Sequence, residues 1–100
     1  MWSPIQYEKI DRVSFSVQVQ NPEDNRTYWV DIYVDEKYHD VEADWNQYIF
    51  FKGDSEDEIR KETQEDNNNF DDAAGVAICF LEQEGIIYQD DEANWFVKEN

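Results

Sequence analysis

From Val13 to Gln20 the chain alternates, with Val13, Phe15, Val17 and Val19 on one parity and Ser14, Ser16, Gln18 and Gln20 on the other. Period two with β-branched and aromatic residues predicts a half-buried strand. Asn21-Pro22-Glu23-Asp24-Asn25-Arg26 has the composition of a turn. A second alternating run follows, with Tyr28, Val30, Ile32 and Val34 on one side and Trp29, Asp31, Tyr33 and Asp35 on the other. The two runs are expected to pair as an antiparallel hairpin.

Gln47 to Phe51 predicts a third strand, stopped at Lys52-Gly53-Asp54. Between it and the hairpin, Glu36 to Asn46 reads as a polar connection anchored by Trp45. Upstream, Ile5, Tyr7 and Ile10 fit either a short strand or an irregular lead-in. Ser55-Glu56-Asp57-Glu58 has the form of a capping box. The helix it would open, about 56–66, has Ile59 as its only large apolar residue and so gains little from packing. Asn67-Asn68-Asn69 would end it.

A second helix, about 71–84, carries Ala73, Ala74, Ala77, Ile78, Phe80 and Leu81 as a broad apolar face, with Gly85 where a C-terminal glycine cap belongs. Gly75 costs about 1 kcal/mol relative to alanine inside a helix, and close packing on the sheet would account for it. Ile86-Ile87-Tyr88 and Trp95-Phe96-Val97 flank a polar turn, as a second hairpin or as two strands of the main sheet. The expected fold is α+β, over 1–100 as a single domain. It is a mostly antiparallel sheet of four to five strands with one buried helix (about 71–84) on one face and a short exposed acidic helix (about 56–66).

Charge changes the picture. The 100 residues hold 25 Asp+Glu against 8 Lys+Arg, a net charge of −17, yet 16 % are aromatic. Acid-rich chains often stay disordered, but each large aromatic ring can bury roughly 150–250 Å². A folded domain is therefore expected. Nucleic acid and anionic lipid are disfavoured as direct ligands, since both need Lys and Arg to replace counterions. A partner should be basic. No apolar run is long enough for a membrane span, and Met1 to Ile10 carries no secretory pattern. With one cysteine, Cys79, no internal disulfide can form, in keeping with a cytoplasmic setting.

The acids are uneven. Asp54 to Asp72 holds nine of them against Arg60 and Lys61. Averaged over roughly 6,000 Å² of folded surface, the net charge is about threefold more dilute than the phosphates of B-DNA, at about one per 110 Å². Resemblance to DNA therefore requires that the charge be polarised. Glu58, Glu62 and Glu65 would lie on one side of a helix about 5–6 Å apart, with Asp54, Glu56, Asp57 and Asp66 nearby. Asp31, Asp35, Asp40, Glu42 and Asp44 could continue that array from the outer side of the hairpin. The plain alternative is a solvated charge run. Trp29 and Tyr33, flanking Asp31, would face away from the core as anchors for a basic partner, unless a second layer (Trp2 and Ile5) covers them.

Catalytic templates find no residues to fill them. Cys79 sits in the apolar helix pattern, where a buried structural thiol is expected, and nothing in the spacing joins it to His39. Two stretches begin like calcium loops but place Ile59 and Trp95 where the sharp turn requires glycine. No enzyme activity, cofactor or metal is expected. The composition points to an inhibitor acting by nucleic-acid mimicry on a nuclease, restriction factor or CRISPR effector, as phage anti-defence proteins do. The partner-binding residues would be Trp29, Asp31, Tyr33, Asp35, Asp54, Glu56, Asp57, Glu58, Glu62, Glu65 and Asp66. Alternatives are an immunity protein against a basic nuclease toxin and an acidic domain from a high-salt organism.

Overall fold

The computed structural model describes residues 1–23, 25–46 and 70–98. The strand expected over 47–51 and the acidic helix expected over 56–66 lie outside them. The architecture is α+β. Strands β1 (Ser3–Lys9), β2 (Ser14–Gln20), β3 (Thr27–Asp35) and β4 (Asp40–Trp45) form an antiparallel sheet in sequence order. Helix α1 (Phe70–Gln83) packs across its inner face, and β5 (Ile87–Gln89) and β6 (Trp95–Val97) make a separate two-stranded sheet.

The hairpin of β2 and β3 follows the alternation, with Val17 opposite Val30 and Phe15 opposite Ile32. Phe15, Val17, Val19, Tyr28, Val30, Ile32 and Val34 are buried on the inner face with Ala73, Ala77 and Leu81 of α1. Trp2, Tyr28, Trp45 and Phe70 close one end as an aromatic cluster, with Trp2–Tyr28 centroids 5.5 Å apart and Trp45–Phe70 centroids 5.0 Å apart. The upstream segment is a strand rather than an irregular lead-in. Its register on β2 shifts between Pro4 and Gln6, so Ile5 drops out of the alternation and remains 46 % exposed.

Glu36 to Asn46 is not merely a connection, because Asp40–Trp45 is β4. Val41, Ala43 and Trp45 pair with Val34, Ile32 and Val30 and share their inward parity. Three apolar side chains on the core face outweigh the low strand propensity of the acids between them. A tight turn joins β3 to β4. The Asp35 carboxylate accepts from the amides of Lys37 and Tyr38, and His39 takes a left-handed φ of 56°.

Helix α1 ends as the glycine predicts. Gly85 has φ 74°, its amide donates to the Glu82 carbonyl, and the Ile86 amide donates to that of Leu81. This pair of bonds is the Schellman motif, which needs a residue tolerant of positive φ. Gly75 has no such reason. A Cβ there would meet nothing within 4 Å, so close packing does not explain it. Cys79 is also exposed, because Ala73, Ala74, Ala77 and Leu81 set the buried side and Cys79 falls outside it. Among the described residues, no helix is long and apolar enough to cross a membrane.

Candidate functional site: the acidic outer face of the sheet

Residues of one parity on a strand share a face. With Val30, Ile32 and Val34 turned inward, Asp31, Tyr33 and Asp35 of β3 stand on the outer face. On β4 the same face carries Asp40, Glu42 and Asp44. The register sets Asp31 opposite Asp44, Tyr33 opposite Glu42, and Asp35 opposite Asp40. Five carboxylates thus surround one tyrosine on two neighbouring strands. Two of the cross-strand pairs are like-charged, an arrangement that costs stability.

With strands about 4.8 Å apart and residues rising about 3.4 Å, the five charges occupy a patch about 10 Å by 17 Å. That is about one per 35 Å² of projected sheet, denser than the average over a DNA surface. Five of the 25 acids in the chain share this patch. None of the five is ion-paired among the described residues. Their hydrogen bonds are local. Asp31 accepts from the Asn46 side-chain amide at 3.1 Å, and Asp44 accepts from the Trp45 backbone amide at 2.8 Å.

Asp31, Tyr33, Glu42, Ala43 and Asp44 line a shallow depression of about 530 Å³ on this face. Tyr33 is 41 % exposed. Trp29 is not: it is 8 % exposed and belongs to the buried set, which corrects the expectation of an outward indole anchor. It lies on a central strand with Gln18 opposite on β2, and the Asn46 amide donates to its carbonyl. Trp2 does not supply the second layer, since it packs on Tyr28 and Trp45 instead. Asp54, Glu56, Asp57, Glu58, Glu62, Glu65 and Asp66 lie outside the described residues.

Comparison with models of known families, with curated proteins and with solved structures gives no match to this chain. Function must be read from geometry and charge. A second candidate is a cleft of about 850 Å³ at the turn end of the sheet, lined by Arg12, Glu36, His39, Tyr88, Phe96 and Lys98 among others. His39 packs against Phe96 there with centroids 4.6 Å apart and the rings tilted by 36°, and its carbonyl accepts from the Trp95 amide. Arg12 is bridged to Glu36, and this hydrogen bond holds the Glu36 carboxyl below its ordinary range. Charges offset one another in the cleft, whereas on the outer face they accumulate.

Other carboxylates support turns. Asp11 caps the β1–β2 turn through the Val13 amide, and Asp90 caps the β5–β6 turn through the amides of Asn94 and Glu92. These bonds lower both carboxyls below the usual aspartate value. Among the described residues, no three His, Cys, Asp or Glu side chains are grouped to hold a metal ion. Cys79 lies on α1 in a groove with Met1, Trp2 and Pro4, while His39 lies in the cleft with Phe96. Sequence reasoning named Asp40, Glu42 and Asp44 as a continuation of the acidic array but read their segment as a connection and left them out of the partner-binding set, although their common parity marks a strand.

Proposed function

We propose that this chain is an acidic inhibitor that imitates nucleic acid. It would occupy the binding groove of a basic enzyme such as a nuclease, restriction factor or CRISPR effector, in the cytoplasm of a bacterial or phage-infected cell. One observation carries the reading: Asp40, Glu42 and Asp44 stand in a row on the outer face of β4, beside Asp31 and Asp35 of β3. Alternate residues of a strand repeat at about 6.7 Å. Consecutive phosphates of a B-DNA strand lie about 7 Å apart, given about 10.5 base pairs per turn of about 34 Å on a radius of about 10 Å. A basic groove shaped for phosphates would meet carboxylates at nearly the same interval.

Inhibition on this reading is competition, and no bond is made or broken. The net charge of −17 steers a basic partner to the chain and speeds encounter, an effect that salt weakens. The test is capture from bacterial lysate on the immobilised chain at low and high salt, followed by elution with duplex DNA. A nucleic-acid enzyme retained at low salt, released by DNA and lost with Asp40→Asn/Glu42→Gln/Asp44→Asn supports the reading. Retention that neither DNA nor this variant disturbs would overturn it. The identity of the captured enzyme also separates a phage inhibitor from an immunity protein.

A further inference from the structure

We propose that the cleft between the β3–β4 turn and the β5–β6 sheet binds a small zwitterion with an aromatic side chain, of the class of the aromatic α-amino acids. This site is separate from the acidic face and does not depend on mimicry. Two backbone hydrogen bonds build it before any ligand arrives. The Trp95 amide donates to the His39 carbonyl at 2.7 Å, and the Lys98 amide donates to the Ile86 carbonyl at 2.9 Å. His39 takes a left-handed φ of 56° there, and its ring packs against Phe96. The open cleft that results, about 850 Å³, has the size of a small-molecule site.

Its walls are apolar and incompletely covered. Trp95, Phe96 and Val97 of β6 are all partly exposed, and Tyr88, stacked on Phe96 with centroids 5.4 Å apart, is 47 % exposed. Successive residues of a strand point to opposite faces, so neither face of β6 is closed and apolar surface is left for a ring to cover. The rim supplies charge of both signs. Lys98 and Glu82 line the cleft, and neither has an ion-pair partner among the described residues. Arg12 and Glu36 line it too, bridged to each other. Of the six described basic side chains, Arg12, His39 and Lys98 gather here, the others being Lys9, Arg26 and Lys37. A ligand with a single charge leaves Lys98 or Glu82 unmatched, and a simple anion also meets the field of a chain at −17. A zwitterion matches both, brings no net charge into that field, and can set its ring against Tyr88 and Trp95.

L-Phenylalanine, phenylacetate, phenethylamine and glycine, titrated at constant ionic strength into the isotope-labelled full chain and followed by NMR, test this. L-Phenylalanine should bind with a Kd of about 2 mM, the ordinary yield of about twelve non-hydrogen atoms. Of the four tryptophans only Trp95 lines the cleft, so its indole resonance alone should move. Phenylacetate and phenethylamine should each bind about threefold more weakly, as loss of one exposed ion pair gives, and glycine should not saturate. Lys98→Gln should reduce L-phenylalanine to the affinity of phenethylamine, and Glu82→Gln to that of phenylacetate. Both side chains are exposed, so the dispersed spectrum of each variant should match the parent and report an intact fold. The site is overturned by any of three results: no saturable shift at Trp95, phenethylamine binding as tightly as L-phenylalanine, or Lys98→Gln without effect.

Discussion

The two faces of the sheet are built by the same strands under opposite rules. On the inner face the middle of β3 meets apolar partners on both sides: Val30 lies between Val17 and Trp45, and Ile32 between Phe15 and Ala43. On the outer face the same strand sets Asp31 opposite Asp44 and Asp35 opposite Asp40. The inner face gains free energy from every pairing, and the outer face loses some at two of them. A fold selected only for stability would alternate signs on the outer side. Retaining the repulsion is consistent with a surface whose counter-charges come from another molecule.

The largest effects belong to the inner face. Ile32→Ala should cost about 2–5 kcal/mol, because it removes buried methylenes from a packed layer. Trp29→Ala should cost about 3–5 kcal/mol although its parity is outer, since the ring is buried. Urea denaturation at equilibrium measures both. A loss below about 0.5 kcal/mol for Trp29→Ala, the level of ordinary surface changes, would return that ring to the exposed face and blur the contrast.

Smaller and opposite in sign is the effect of neutralising the outer pairs. Asp44→Asn should raise stability by roughly 0.2–1 kcal/mol at low salt, by relieving repulsion from Asp31. Added salt should stabilise the parent chain more than the variant, because screening already does part of the work. Thermal melts across ionic strength check this, and a variant less stable than the parent at every salt concentration would show that Asp44 holds β4 rather than strains it.

The smallest effect separates carboxylates that support the fold from those that strain it. Asp90 has its folded pKa lowered by backbone amides, so its contribution is present above the unfolded value, near 3.8. That contribution is lost as pH falls through the lower folded value. The difference in melting temperature between the parent and Asp90→Ala should therefore be constant above about pH 5 and shrink on further acidification. A difference that grows on acidification would remove the turn-capping role.

Much of the fold is legible in residue order. Alternation fixed β2 and β3, the alanine and leucine spacing located α1, and Gly85 marked its end. β4 was harder, because Asp40, Glu42 and Asp44 are poor strand formers, and only a neighbour for Val41, Ala43 and Trp45 makes the strand worthwhile. Trp29 was misread for a related reason. Parity tells which side of a strand a residue takes, but not whether that side is open. Cys79 and Gly75 depended on the rotational phase of α1, which a helix with apolar residues around much of its circumference leaves ambiguous.

The candidate site divides in the same way. By itself the sequence determined the sign of the charge, the abundance of aromatic rings, and the parity of Asp31, Tyr33 and Asp35. Only the tertiary structure decided that Asp40, Glu42 and Asp44 stand beside them around Tyr33. Pairing of β4 with β3 across the tight turn fixes a register, and register is set by the apolar side chains on the opposite face. The core that hides Val41, Ala43 and Trp45 is what brings the acids together outside it.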